Sequence, residues 1–303
     1  MFIFLPLFTI FVLLAGGYFA KKTGVLKQKQ ARTFLDFTVA FALPCLIFDK
    51  AYHLNFDFSL IILIFIGFFS CIFSGCLVLI IGKICNFSKA TLISMFLLSC
   101  FGNTIFLGMP IITGIFEDPQ FSAEVILYDA LATTLPISLF GPFILSLGNG
   151  KKVNLAVHIK KILTFPPFLA LFFGFLCKFI TLPDFIFTPI RLFGGTATPL
   201  ALFAIGLGLG FMAIKTAYKP TILVIFAKMI LTPIIFICCL KLFGFKLNTS
   251  AIVAIIESAT PTMTLTAAII MKAKLDSNLA VSAVAFGVLF AFISIPILVW
   301  ILL

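Results

Sequence analysis

Charge is scarce in this chain: only 10% of its 303 residues are Asp, Glu, Lys or Arg, and just 10 residues are acidic. So little charge cannot cover a soluble domain of this length, where about a quarter of the residues are charged. Histidine is rarer still. His53 and His158 fall in expected loops without ligand-spaced neighbours, so neither is assigned a metal. The eight cysteines form no CxxC pair and lie almost entirely inside apolar runs. They read as small core residues instead of a disulfide framework or a metal site. No GxSxG, HExxH or Walker A motif occurs, which leaves no nucleophile constellation for an intramembrane hydrolase and no phosphate loop for a pump. The GLGLG stretch from Gly206 to Gly210 follows no strand and sits in an apolar run, so close helix packing explains it. An enzyme is not expected, and neither is a cofactor.

What the chain has in abundance is hydrocarbon: 62% hydrophobic residues and a mean hydropathy of +1.28. A bilayer is the solvent that accepts it, and a crossing helix needs roughly 20 apolar residues. Apolar runs fall at about 2–20, 31–50, 58–82, 89–115, 123–148, 163–181, 187–214, 219–243, 249–271 and 278–302. The expected fold is therefore all-α and polytopic, with ten transmembrane helices. The first run lacks a positive segment before it, and its Lys21 and Lys22 follow the apolar stretch, so it reads as a retained helix and not a cleaved signal.

The net charge of +11 does not make a nucleic-acid footprint, because the basic residues are spread over short loops. With the N-terminus outside, the odd-numbered loops hold fifteen Lys or Arg residues, from Lys21 and Lys22 through Lys151, Lys152 and Lys160 to Lys272 and Lys274. The even-numbered loops hold five, namely Lys50, Lys178, Arg191, Lys241 and Lys246, while Lys228 lies inside a run. This bias predicts that both termini face away from the cytoplasm, in a bacterial inner (plasma) membrane.

The basic loop at 148–161 separates five runs from five, so residues 1–150 and 151–303 form two halves of opposite orientation. Prolines recur in register, Pro44 with Pro199 and Pro110 with Pro261, at offsets of 155 and 151. Inverted repeats of this kind belong to secondary transporters, with the site where the halves meet. The fourth and ninth runs are interrupted at matching places. One contains Gly102-Asn103-Thr104 with Gly108 and Pro110, the other Glu257, Ser258, Thr260, Pro261, Thr262 and Thr264. Proline removes a backbone donor and crowds the preceding turn, so the fourth helix is expected to open just before Pro110. Freed amides and carbonyls are costly in lipid unless they line an enclosed polar space. Two such breaks crossing near the midplane would bring half-helix N-termini, with their partial positive charge, to a common point suited to a carboxylate. A pair of ordinary proline kinks is the bland alternative.

At these residues the chain resembles the auxin efflux carrier family, in a form similar to bacterial malonate-like carriers. The segments that carry the likeness are GNTIFLGMPII (Gly102 to Ile112), LPCLIF (Leu43 to Phe48), ATPLALFAIGLGL (Ala197 to Leu209) and AVAFGVLFAFISIPILVWILL (Ala283 onward), in family order across essentially the whole chain. The resemblance implies crossed, discontinuous helices 4 and 9 in a fold like that of bile-acid symporters and sodium–proton antiporters. It also implies a scaffold of helices 1, 2, 6 and 7, a moving transport domain of helices 3–5 and 8–10, elevator-type alternating access and a homodimer through the scaffold. By motif position Asn103 would touch a substrate carboxylate, with Pro110 and Pro261 setting the crossing. Glu257 and Thr260 depart from the plant exporters' pattern, which argues against auxin itself as substrate.

The expected function is secondary transport of a small mono- or dicarboxylate. A channel or facilitator with a broken-helix pore is the competing reading. The candidate substrate-binding residues are Asn103, Thr104, Gly108, Pro110, Ser258, Thr260, Pro261 and Thr262. Glu257 and Asp129 are candidate sites for a coupling proton or sodium ion, Glu257 because a carboxylate inside the ninth run is costly unless it is paired, solvated or used. Asp36 is expected to pair with Arg32, four residues earlier. Lys228 either meets a carboxylate or snorkels to the interface. The expected partners are the carboxylate substrate, the lipid bilayer and a second copy of the chain, with no nucleic acid.

Overall fold

A computed structural model describes residues 4–55, 57–150 and 154–303, excepting the side chains of Asn149, Leu155 and His158. Lys151, Lys152 and the His158 ring lie outside the described residues. The helices in chain order are α1 (Phe4–Lys22), α2 (Ala31–Phe37), α3 (Leu43–His53), α4 (Phe58–Ile84), α5 (Lys89–Cys100), α6 (Met109–Ile115), α7 (Pro119–Tyr128), α8 (Leu135–Asn149) and α9 (Leu155–Leu163). They continue with α10 (Pro166–Cys177), α11 (Asp184–Gly195), α12 (Ala197–Gly208), α13 (Ile214–Phe226), α14 (Thr232–Leu242), α15 (Thr249–Ser258), α16 (Thr264–Lys272) and α17 (Ser277–Leu302). No strand occurs among the described residues, and the one extended pairing is an isolated antiparallel bridge.

Among the described residues, seven helical stretches are long and apolar enough to cross a bilayer: Phe4–Lys22, Gln28–His53, Phe58–Ile84, Pro119–Gly148, Asp184–Gly208, Ile214–Leu242 and Ser277–Leu302. Shorter apolar helices occupy Lys89–Cys100, Thr104–Ile115, Pro166–Cys177 and Thr249–Ser258. The protein is thus a multi-pass, all-α membrane protein. Phenylalanines such as Phe8, Phe69, Phe172 and Phe193 are exposed, as lipid-facing side chains are.

Prolines set the local geometry of the long stretches. Four π-helical segments, Thr38–Ala42, Thr104–Gly108, Asp129–Thr134 and Ala227–Leu231, each end two residues before a proline: Pro44, Pro110, Pro136 and Pro233. A widened turn absorbs the missing proline N–H and relieves the ring's crowding of the previous turn, so the helix bends without breaking. The five-residue bonds are explicit where the Leu43 N–H reaches the Thr38 carbonyl and the Thr232 N–H reaches that of Ala227. Pro110 itself is the second residue of α6, where its lack of an N–H costs nothing. The helix therefore does not open just before Pro110, as expected from sequence, but several residues earlier.

The described residues form two compact units. The first draws on Met1–Phe56, Ile105–Ala130 and Leu155–Leu209. In it α1 and α12 pack through glycine: a Cβ on Gly17 would collide with the Phe203 carbonyl and one on Gly206 with that of Leu14. Close backbone approach through small residues is one source of helix affinity in lipid, as expected for the Gly206 segment. In the same unit α3 packs on α10 and α11, with Gly174 against Phe48 and Ala51 and Gly194 against Leu46. There the buried Asp49 carboxylate accepts from Arg191 Nε at 3.0 Å. Arg32 and Asp36 pair at 3.7 Å, as their spacing predicted, but both are exposed and contribute little.

The second unit draws on Asp57–Thr104, Leu131–Asn154 and Gly210–Leu303. In it α4 lies on α5, α14 and α15, and α17 lies on α13 and α16. Asp57 caps α4, and the Ser59 hydroxyl and N–H hold its carboxyl below the ordinary range. Asp276 caps α17 and accepts from Thr91 Oγ1 at 2.8 Å, which ties α5 to the last helix. All eight cysteines are free; Cys71 and Cys100 are buried, whereas Cys76, Cys85 and Cys238 face outward and correct the reading of the set as core residues.

Candidate functional site

The site lies within the second unit, where two helices stop inside the protein. α5 ends at Cys100, and Phe101 turns extended with φ −112° and ψ 121°. α15 ends at Ser258, and helix resumes only at Thr264, after an extended Met263 with φ −65° and ψ 129°. Extended backbone in a membrane leaves amides and carbonyls that cost several kcal/mol each if unpaired. The two interruptions satisfy one another: Asn103 N–H donates to Pro261 O at 2.7 Å, and Met263 N–H donates to Phe101 O at 2.9 Å. These bonds make the antiparallel bridge between Gly102 and Thr262.

Side chains complete the accounting at the helix ends. Thr262 Oγ1 donates to Leu98 O at 3.0 Å, which satisfies a terminal carbonyl of α5. Thr260 Oγ1 donates to Glu257 O at 2.8 Å and Ser258 Oγ to Ile255 O at 2.7 Å, serving α15 in the same way. Gly102 is required by proximity, since a Cβ there would meet Thr260 Oγ1 and lie 2.9 Å from Lys228 Cε. Ser258, Thr260 and Thr262 therefore spend their hydroxyls on the crossing itself. All three are buried, as are Asn103, Thr104 and Glu257.

The groups open to a ligand sit at the start of α16. Its N-cap, Met263, offers no side-chain acceptor, so the first N–H groups of that half-helix keep their donors. The Asn103 amide reaches Thr264 Oγ1 at 3.4 Å, and Thr264 is partly exposed whereas Asn103 and Thr262 are buried. An amide, a hydroxyl and a helix N-terminus together make an anion-binding arrangement.

The structure brings Asn103, Thr104, Glu257, Ser258, Thr260, Pro261 and Thr262 into this unit. Gly108, Pro110 and Asp129 belong to the first unit, where Gly108 closes a π-helical segment and Asp129 opens another, buried. Among the described residues no group of three or more His, Cys, Asp or Glu side chains is placed to hold a metal.

A sequence model described as membrane transport protein matches residues 2–299, a span that contains both interruptions and nearly all of the chain. The chain belongs to the auxin efflux carrier family. It is similar to an uncharacterized transporter of Methanocaldococcus jannaschii, 27% identical over 306 residues and 97% of each chain. It is also similar to one of Methanothermobacter thermautotrophicus, 25% identical over 293 residues and 95% of each chain.

For a member of the auxin efflux carrier family, two residues stand out that the sequence reading did not place in the site. Thr264 lay within the polar segment of the ninth run, but its contact with Asn103 depends on a pairing 161 residues apart. Lys228, for which sequence leaves contact with a carboxylate or snorkelling, is 1% exposed and its ammonium donates to Ser258 O at 2.6 Å. Its signal was a lone cation well inside an apolar run.

Proposed function

We propose that this protein is a secondary active transporter of a small mono- or dicarboxylate, working by elevator-type alternating access. The observation that carries the reading is the bridge of Gly102 with Thr262, which leaves the Asn103 amide beside Thr264 at the uncapped start of α16. A carboxylate docked there would accept from Asn103, from the Thr264 hydroxyl and from the first amides of α16. Ser258, Thr260, Pro261 and Thr262 hold the geometry. In this reading the broken segments count as single crossings, giving ten crossings in two inverted halves, with scaffold helices 1, 2, 6 and 7 forming a homodimer. The protein would reside in the bacterial inner membrane with both termini on the outer side.

Glu257 is the candidate for coupling to a proton or to sodium. It is fully buried, one residue before the α15 carbonyl that accepts from Lys228, so its charge state bears directly on the crossing. Asp129, buried in the fifth run, is the second candidate.

The direct test is uptake of radiolabelled malonate and related carboxylates into proteoliposomes. Asn103→Ala is expected to lower uptake at least tenfold while inserting and purifying as the parent does. Uptake at the parental rate in a folded Asn103→Ala protein would contradict the site.

A further inference from the structure

The crossing contains an ammonium group that the carrier reading does not use. Lys228 is the second residue of the π-helical segment Ala227–Leu231, in the stretch that continues into α14. Its side chain is buried. Nζ donates to the Ser258 carbonyl at 2.6 Å and lies 3.4 Å from Cys71 Sγ. Gly102 gives it room, since a Cβ there would stand 3.2 Å from Nζ.

Ser258 is the last residue of α15, so the carbonyl that takes the ammonium is at the negative end of a half-helix. The other terminal carbonyls of α15 are already occupied from within: Ile255 O by the Ser258 hydroxyl, Ile256 O by the Ala259 N–H and Glu257 O by Thr260. Among the described residues the lysine thus supplies a positive charge to this helix end. In carriers with discontinuous helices, half-helix C-termini and unwound carbonyls are where monovalent coupling cations bind. The Lys228 turn is itself anchored, because Ser74 Oγ donates to Ala227 O at 2.8 Å and Thr232 Oγ1 to the same oxygen at 2.9 Å. Those two bonds fix the backbone from which the ammonium is presented.

We infer that Lys228 is a tethered cation that fills a monovalent-cation position at the α15 break, so that no alkali ion binds at this point of the wild-type protein. Removing the side chain would leave the Ser258 carbonyl and the Cys71 thiol facing a void of one ammonium, and an exchangeable cation would take it. Any coupling ion of the transport cycle then has to be sought elsewhere, with the Glu257 proton the nearest candidate. That last consequence rests on the carrier reading, whereas the binding itself does not.

The test is thermal unfolding of the purified protein in detergent, at constant ionic strength, in chlorides of sodium, potassium, ammonium, methylammonium and N-methylglucamine. The wild type sets the reference, to which a coupling ion at Glu257 or Asp129 would contribute equally in both proteins. Lys228→Ala is expected to melt lower in N-methylglucamine and to regain several degrees, saturably, in at least one of the small cations, with ammonium and methylammonium the closest mimics. A folded Lys228→Ala protein indifferent to all five salts would overturn the inference. So would a saturable response of the wild type equal to that of Lys228→Ala in any of these salts, because the cation would then bind away from the Lys228 position; where the alanine variant cannot be recovered, Lys228→Gln takes its place. Neither arm measures transport, so failure here leaves the carrier reading standing, and failure of that reading is seen only in Asn103→Ala uptake.

Discussion

Glu257 and Gly102 show how much a single position in the crossing is asked to do. Glu257 is a fully buried carboxylate in the last turn of α15, where a permanent charge is costly. If it binds and releases the coupling ion, Glu257→Gln should flatten the dependence of uptake on pH or sodium, and an unaltered dependence would remove it from that role. Gly102 lies against the Thr260 hydroxyl and the Lys228 side chain, each held in place by a hydrogen bond to a carbonyl of α15. Overpacking of this kind costs about 1–3 kcal/mol, so Gly102→Ala is expected to lower the melting temperature by several degrees and to reduce uptake. A variant as stable and active as the parent would show the contact to be loose. Thr262→Val keeps the shape but loses the donor to Leu98 O, at a cost of about 1–3 kcal/mol for a buried unsatisfied carbonyl.

At the scale of elements, sequence disclosed the two interruptions but not the residues at which they occur. Gly102, Asn103 and the cluster from Glu257 to Thr264 were visible because polar side chains and glycine cannot persist in a lipid-facing run. The placement of the first break failed because Pro110 was weighed as a breaker, when a π-helical turn at Thr104–Gly108 absorbs it. The backbone pairs that hold the break open link residues about 160 positions apart, and no local propensity encodes them. The fate of Lys228 was hidden for the same reason: whether a lysine in an apolar run snorkels or is captured depends on a carbonyl 30 residues away in sequence. Pro110→Ala is accordingly expected to leave the bridge between Gly102 and Thr262 in place and to keep the protein folded. Loss of folding in that variant would return Pro110 to the role of breaker. The glycine contact of α1 with α12 makes the opposite forecast, that Gly206→Val prevents recovery of folded protein, as read by gel-filtration monodispersity.

At the scale of the molecule, the all-α, multi-pass character was legible from composition, because 62% hydrophobic residues in long runs admit no other solvent than lipid. What composition could not supply was which polar residues serve the backbone and which remain for a ligand. Ser258, Thr260 and Thr262 turn out to be committed to helix ends, so the account places the substrate at Asn103, Thr264 and the first amides of α16. A saturable carrier should show substrate counterflow into preloaded vesicles, which a pore would not sustain. The most direct measurement is the alkylation rate of Thr264→Cys in a background with the eight native cysteines replaced, with and without a transported carboxylate. The account predicts saturable protection at the concentrations that saturate uptake. An unchanged labelling rate at saturating substrate would contradict it.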